Sequence, residues 1–378
     1  MTRVFEVFYQ FLILGFISFG GPAAHIGYFQ TTFVQKLSWL DQQAYVKLVA
    51  LSQFLPGPGS SQVGFAIGLR RAGLAGGLAA FIGFTLPSFF LLYLLAIFAL
   101  DSRDSIMING VIQGLKQLAV IVVADASLSM FKSFCKDKLS ITLMVISTLC
   151  FLVFPSLWIQ MAVLALAALA GILLSRSSDK SQSTLTMLGI KRFPLIAFSV
   201  LFVGLPFINA ELFASFYQAG SLVFGGGHVV LPLLQQTVGE QISNDQFLTG
   251  YAAAQAVPGP MFTLATYLGA TLLPAEPLTG ALLATFGIFL PGFLLIYGLQ
   301  NTWETLTQNP KVAGGAAAIN AAVVGLLVSA LYNPVFVSAV TQPLDLIIVV
   351  FGFLALRIMK LPMTALVVVM SAIGVLLY

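Results

Sequence analysis

Apolar runs of roughly 20 residues follow one another along almost the whole chain, the length a helix needs to cross a hydrocarbon core of about 30 Å. Lipid offers no hydrogen bonds, so a segment placed there must satisfy its own backbone as a helix or close into a barrel. Barrel strands alternate apolar and polar residues over short stretches, and no such alternation occurs here. Composition points the same way. Of the 378 residues 59% are hydrophobic and 8% are charged, against about 25% charged in a soluble domain. So little charge leaves no surface for water, and the sequence predicts an all-α, polytopic membrane protein.

Two of the apolar runs are interrupted in the same way. "SQFLPGPGSSQ" spans Ser52 to Gln62, and "AQAVPGPMFT" spans Ala254 to Thr263. Both contain Gln-x-x-Pro-Gly-Pro. Other landmarks recur in the same order at nearly one spacing: Phe19-Gly20-Gly21 with Phe224-Gly225-Gly226, Pro87 with Pro291, and Gly171 with Gly374. A fixed order at a fixed spacing marks a duplication. The expected organisation is a first repeat over 1–175, a loop and linker helix over 176–210, and a second repeat over 211–378. Each repeat reads as about six apolar segments, near 5–22, 44–69, 72–100, 106–130, 139–155 and 157–175, then 211–228, 246–270, 278–300, 312–332, 335–356 and 362–378. With the unmatched segment 193–208 they predict thirteen crossings.

An even repeat followed by one lone crossing places the second repeat upside down. Loop charge tests this independently. Arg70-Arg71, Lys132, Lys136 and Lys138, and Arg176, Lys180, Lys191 and Arg192 mark three loops of the first half as cytoplasmic. Two second-half equivalents, "LLPAEP" and "LYNPVFVSAVTQP", contain no Lys or Arg, whereas Arg357 and Lys360 fall where the first half has "FPSLW". The expectation is a multi-pass protein of a bacterial cytoplasmic membrane with its N-terminus in the cytoplasm. Inverted repeats with broken helices are the build of secondary transporters, whose substrate sites lie near mid-membrane between the repeats.

Pro cannot donate from its nitrogen, and Gly accepts backbone angles that other residues resist. Pro56-Gly57-Pro58 and Pro258-Gly259-Pro260 therefore free N–H and C=O groups at a depth where each one left unmet costs several kcal/mol. A helix restarting after such a break aims its N–H groups and positive dipole end at the gap, which suits an anion. Ser60, Ser61 and Thr263 follow the breaks as capping or ligand-contacting hydroxyls, and Gln53 and Gln255 precede them as partners for the freed backbone or a ligand. "FISFGGPAAH" and "SLVFGGGH" each end an apolar run with glycines and then a histidine. His25 and His228, the two histidines of the chain, are candidates to donate to an oxyanion or to carry a coupled proton; the competing reading is a loop hydrogen bond at a helix end. Lys116 and Asp125 are ionisable groups inside an apolar segment. At nine residues apart they face opposite sides of a helix and cannot pair with each other. Lys116 is a candidate to supply positive charge to a cavity, or else to pair with another helix. Asp125 is a candidate for proton coupling or for structure. Arg70-Arg71 reads first as a topology anchor.

Taken in order, "GFISFGGPAAHIGYF", "WLDQQAYVKLVALSQFLPGPGSSQVGFAIG", "FGGGHVVLPLL" and "FLTGYAAAQAVPGPMFTLATYLGA" resemble the chromate ion transporter family in its long, two-domain form. The resemblance implies export of chromate from the bacterial cytoplasm driven by the proton gradient, with sulfate as a structural analogue, and so chromate resistance. It places the substrate region at Gly20, Gly21, His25, Gln53, Pro56, Gly57 and Pro58, and at Gly225, Gly226, His228, Gln255, Pro258, Gly259 and Pro260. The implied partners are chromate or sulfate, protons and membrane lipids. A homodimer is possible on base rate alone. No cofactor, metal or nucleic acid is expected: the net charge of +4 is spread thinly and the two cysteines have no metal or redox spacing. No His-Glu-x-x-His or Gly-x-Ser-x-Gly occurs, so an enzyme is not expected. The alternatives are a sulfate or other small-oxyanion transporter or exchanger and, in another class, a non-transporting scaffold or scramblase.

Overall fold

A computed structural model describes residues 2–19, 21–101, 106–174, 191–208, 210–224, 227–239, 241–301 and 309–378, and among these no strand occurs. The chain opens with four helical limbs: α1 (Arg3–Ile17), α2 (Gly21–Phe29, continued by a π-type turn at Gln30–Lys36), α3 (Gln42–Phe54) and α4 (Gly59–Asp101). α4 is broken at Ala72 (φ −145°, ψ 28°) and Gly73 (φ 66°, ψ −160°), which separates a short limb, 59–71, from a long one, 74–101. α1 has 15 residues and rises about 22 Å, too little for a hydrocarbon core of about 30 Å.

Side-chain contacts show which way each limb runs. Phe11 of α1 stacks on Phe33 and meets the edge of Phe29, so α2 comes back alongside α1. α3 climbs beside it, with Gln30 donating to Gln42 and the Tyr45 hydroxyl donating to the Ile26 carbonyl. After the Pro-Gly-Pro break, 59–71 descends again until Arg71 reaches Glu6 at 2.9 Å and covers Trp39. The first two apolar segments of the half are therefore two hairpins that enter and return by the same face. The thirteen crossings expected from hydropathy are too many. Each break reverses the chain, because glycine at positive φ and proline together permit a turn that a kinked helix would not need.

The second half repeats the pattern. α9 (Glu211–Leu222) and a 3₁₀ turn (Gly227–Val229) leading into α10 (Val230–Val238) form one hairpin. α11 (Asn244–Ala256) and a 3₁₀ turn (Met261–Thr263) leading into α12 (Leu264–Leu272) form the other. α13 (Pro277–Leu299) corresponds to 74–101. Gly15 lies so close to Phe84, and Gly220 to Ile288, that a Cβ on either would sit 2.8 Å or 2.2 Å from the facing carbonyl oxygen. Small residues permit this close approach, the usual way helices associate in lipid.

The other long helices among the described residues are α5 (Ile106–Phe134), α6 (Lys138–Val153), α7 (Leu157–Leu174), α8 (Arg192–Gly204), α14 (Pro310–Ala330), α15 (Pro343–Arg357) and α16 (Met363–Leu377). Their packing crosses between halves. α6 and α7 lie on α14, and α15 and α16 lie on α5. Matching glycine contacts, Gly110 with Gly374 and Gly171 with Gly314, bring the backbones together. The unmatched α8 packs on α13, and the Tyr217 hydroxyl of α9 donates to its Phe198 carbonyl. The architecture is that of two inverted repeats joined by a linker helix. Among the described residues four stretches are long and apolar enough to cross a membrane, Gly59–Phe98, Asn109–Phe134, Pro277–Leu299 and Pro310–Ala339; in the first, the crossing part is the limb after Gly73.

Candidate functional site

The hairpin tips meet at the centre, each Pro-Gly-Pro against the glycine-rich tip of the other half. The Gly57 N–H donates to the Val223 carbonyl at 2.7 Å, and the Gly259 N–H donates to the Ser18 carbonyl at 3.0 Å. These two bonds satisfy groups that the breaks set free, and they are related by the repeat symmetry. They also explain why glycine stands there. Gly57 and Gly259 have φ of +119° and +104°, and a Cβ would lie 2.9 Å from Gly292 Cα in one case and 2.8 Å from Ser88 Oγ in the other. Bulk at either position would push the halves apart.

Returning limbs begin at Gly21, Gly59 and Met261, so several helix N-termini, with their N–H groups and positive dipole ends, converge on this centre. Polar side chains gather beside them. His25, fully buried on α2, has Nε2 3.2 Å from the Ser18 carbonyl and Nδ1 3.3 Å from Ser60 Oγ. A carbonyl only accepts, so Nε2 carries the hydrogen, and in the neutral ring Nδ1 accepts from the Ser60 hydroxyl. The edge-on ring of Phe84 closes the other side. Ser18 and Ser61 are buried with hydroxyls that have no partner, as is the Nε2 of Gln255. Thr263 differs from its counterpart Ser61: its hydroxyl donates to the Pro260 carbonyl at 2.6 Å.

Two cavities reach this centre. The larger, about 400 Å³, is lined by Pro22, Ser52, Gln53, Gly57 and Ser60 from the tips and by Ser129 and Ser133 from α5. The smaller, about 140 Å³, is lined by Gly21, Gln255, Gly259 and Asp125 among others. No lysine or arginine is among these lining residues. Backbone N–H groups and helix ends supply positive potential there. A third cavity, about 270 Å³, lies toward the far ends of the second-half hairpins, at Gln235, Asn244 and Asn333.

Of the residues singled out from sequence, the structure gathers Gly21, His25, Gln53, Pro56, Gly57, Pro58, Ser60, Ser61, Gln255, Pro258, Gly259, Pro260 and Thr263 around the tips. Gly20, Gly225 and Gly226 lie outside the described residues, and of His228 only the backbone, within the 3₁₀ turn, is described. Lys116 and Asp125 do not pair with each other, and each finds a partner in the other half. Lys116 Nζ is 2.8 Å from Asp245 Oδ1, and Asp125 Oδ1 is 2.5 Å from Arg357 Nη1. Asp125 borders the smaller cavity, while Lys116 borders neither of the two.

Sequence reasoning missed Gln62, whose Nε2 donates to the Pro56 carbonyl at 2.9 Å and the Gly292 carbonyl at 3.1 Å. It satisfies the freed Pro56 carbonyl, one of the two roles expected of Gln53 beside contact with a ligand, and it ties the first break to α13. A signal was present, since a fully buried glutamine within an apolar limb needs partners. Ser18, at the end of α1, was missed although it stands beside the Phe19-Gly20-Gly21 landmark, because its part here is played by its backbone carbonyl, which any residue could supply.

The family model described as chromate transporter matches residues 5–172 and 210–376. The chain belongs to the chromate transporter family. Each match covers one of the two halves. A chromate transport protein of Cupriavidus metallidurans is 26% identical over 97% of this chain and 92% of its own length. One from Pseudomonas aeruginosa is 25% identical over 85% and 79%. An uncharacterized transporter of Methanocaldococcus jannaschii is 25% identical over 86% and 82%. No solved structure matches. This chromate transporter family member is thus a multi-pass membrane protein with its unwound segments gathered at one place.

Proposed function

We propose that this protein is a secondary active transporter that exports chromate across the bacterial cytoplasmic membrane, with its N-terminus in the cytoplasm, and so confers resistance. The reading rests on one observation above others: four chain reversals, two from each inverted half, meet at a shared centre and turn helix N-termini toward it. A tetrahedral dianion suits such a centre, because N–H donors and dipole ends supply positive potential without a buried cation. Ser60, Ser61 and Gln255 stand ready to donate to its oxygens. His25, already relaying from the Ser60 hydroxyl to the Ser18 carbonyl, is the group placed to exchange a proton when the anion takes Ser60 as its donor.

The proposed sidedness follows from loop charge. With Arg71 and Lys132 in the cytoplasm, the first-half hairpins enter from that side and the second-half hairpins from outside. On this reading the larger cavity, between the first-half tips and the Ser129–Ser133 end of α5, faces the cytoplasm, as expected of the inward-open state of an alternating cycle.

Purified protein in liposomes tests the reading. Chromate should move, an imposed proton gradient should drive its accumulation, and His25→Ala should weaken that coupling. Sulfate flux without chromate flux or competition would instead assign a different oxyanion, and no anion flux at all would favour a non-transporting scaffold.

A further inference from the structure

Among the described residues, no lysine or arginine lines the two cavities at this centre, yet a dianion leaving water benefits from a cation. We infer that Arg357 is the substrate-binding cation, held in reserve by Asp125. The inference rests on the oxyanion reading of the site and deepens it.

Arg357 is the last residue of α15. Its Nη1 donates both to Asp125 Oδ1 at 2.5 Å and to Ser129 Oγ at 3.2 Å. Asp125 lines the smaller cavity and Ser129 lines the larger. One guanidinium nitrogen therefore joins the walls of the two cavities that flank the Gly21–Pro22 tip. A guanidinium has five N–H donors in a planar fork, and Nη1 alone makes the bonds to these two side chains, so most of the fork remains for a ligand. About a third of each side chain is exposed, 34% for Arg357 and 29% for Asp125, so the pair is within reach of water and of an arriving ion.

The chemistry is a carboxylate-for-oxyanion exchange in which no covalent bond changes. A tetrahedral oxyanion presents two oxygens to the fork as a carboxylate does, with twice the charge, and displaces Asp125 as partner of Arg357. Asp125 stays nearby and repels the bound ion. This keeps binding weak enough for release, which a transporter needs as much as capture. The counterpart of Asp125 in the second half is Ser329, and the position matching Arg357 lies in "FPSLW", which has no cation. The device therefore exists at one end of the molecule only. In the sidedness proposed above that is the cytoplasmic end, where an exporter loads.

The test is chromate transport by purified protein in liposomes, with thermal-shift titration of chromate and sulfate on the same preparations. Arg357→Gln should raise KM on the order of ten- to a hundredfold, the effect of losing a charge-assisted hydrogen bond. Arg357→Lys should fall between, keeping charge but losing the fork. Asp125→Asn should lower KM and sharpen the thermal shift with chromate. The charge swap Asp125→Arg with Arg357→Asp restores an ion pair but should not restore transport. Recovery of transport by the swap, or an unchanged KM in Arg357→Gln, would show a structural pair and overturn the inference. Should Arg357→Gln fail to fold, Arg357→Lys and Asp125→Asn decide it, and an unchanged KM in both overturns it. Wild-type protein that neither binds nor moves any oxyanion would overturn the functional reading itself.

Discussion

The hairpins of the two halves are built alike and seated differently. In the second half α11 packs along α5, and α10 with its leading 3₁₀ turn touches α14. In the first half α2 and α3 make no comparable contact with either long helix, and the larger cavity fills the space between their tips and α5. An ion pair accompanies the difference. Asp245, at the start of α11, meets Lys116 of α5. By the repeat, Asp245 matches Gln43 and Lys116 matches Asn320. Gln43 is exposed, and the Asn320 side-chain oxygen is buried without a partner. Similar hairpins in unequal seats suit the alternating cycle proposed above, in which one end is closed by docking while the other is open, and the second state reverses the arrangement. In the sidedness proposed above, the outer hairpins carry a charged latch, and the matching residues of the first half, Gln43 and Asn320, are neutral amides.

Changes that treat both halves equally should have the largest effect. Gly57→Leu and Gly259→Leu each drive a side chain into the opposite half, and chromate flux in liposomes should fall to background for both, with the protein still inserted. A large loss for one and none for the other would mean that the tips are not equivalent. Next, Gln43→Asp with Asn320→Lys transplants the latch to the first half. It should slow flux by roughly tenfold through a bias of about 1.4 kcal/mol toward one state. It should also protect a cysteine placed at Ser133 from a water-soluble maleimide. Unchanged labelling would show that α3 does not dock on α14. The smallest effect is expected from Lys116→Ala. Asp245 is 58% exposed, so the pair is screened and its loss should reduce flux about two- to fivefold. Asp245→Ala should match it, and the double variant should add little, since the two residues act as one contact.

Much of this was legible in the residues. The duplication, its inversion, the linker helix and the two Pro-Gly-Pro breaks follow from spacing and loop charge, and the structure brings the breaks together. The direction of the chain at each break was not legible. Hydropathy measures the length of an apolar run, and "KLVALSQFLPGPGSSQVGFAIGL" reads the same whether the chain continues or turns back at Pro56. Nor were the partners of Lys116 and Asp125 legible, because Asp245 and Arg357 stand in the other half and no local pattern links them. Gln62 was visible as a polar residue in an apolar limb, but its acceptor on α13 depends on how the halves dock.

The crossed seating of the closing hairpins bears on how such a molecule is assembled. Because α6 and α7 rest on α14 while α15 and α16 rest on α5, neither half has a complete set of neighbours within its own sequence. Made as separate polypeptides, the two halves should be unstable apart and recover function when co-expressed, whereas severing the finished chain between them should leave the complex standing. The covalent link then serves to fix stoichiometry and the opposed insertion of two mutually dependent pieces, while the fold is held by their exchange of arms.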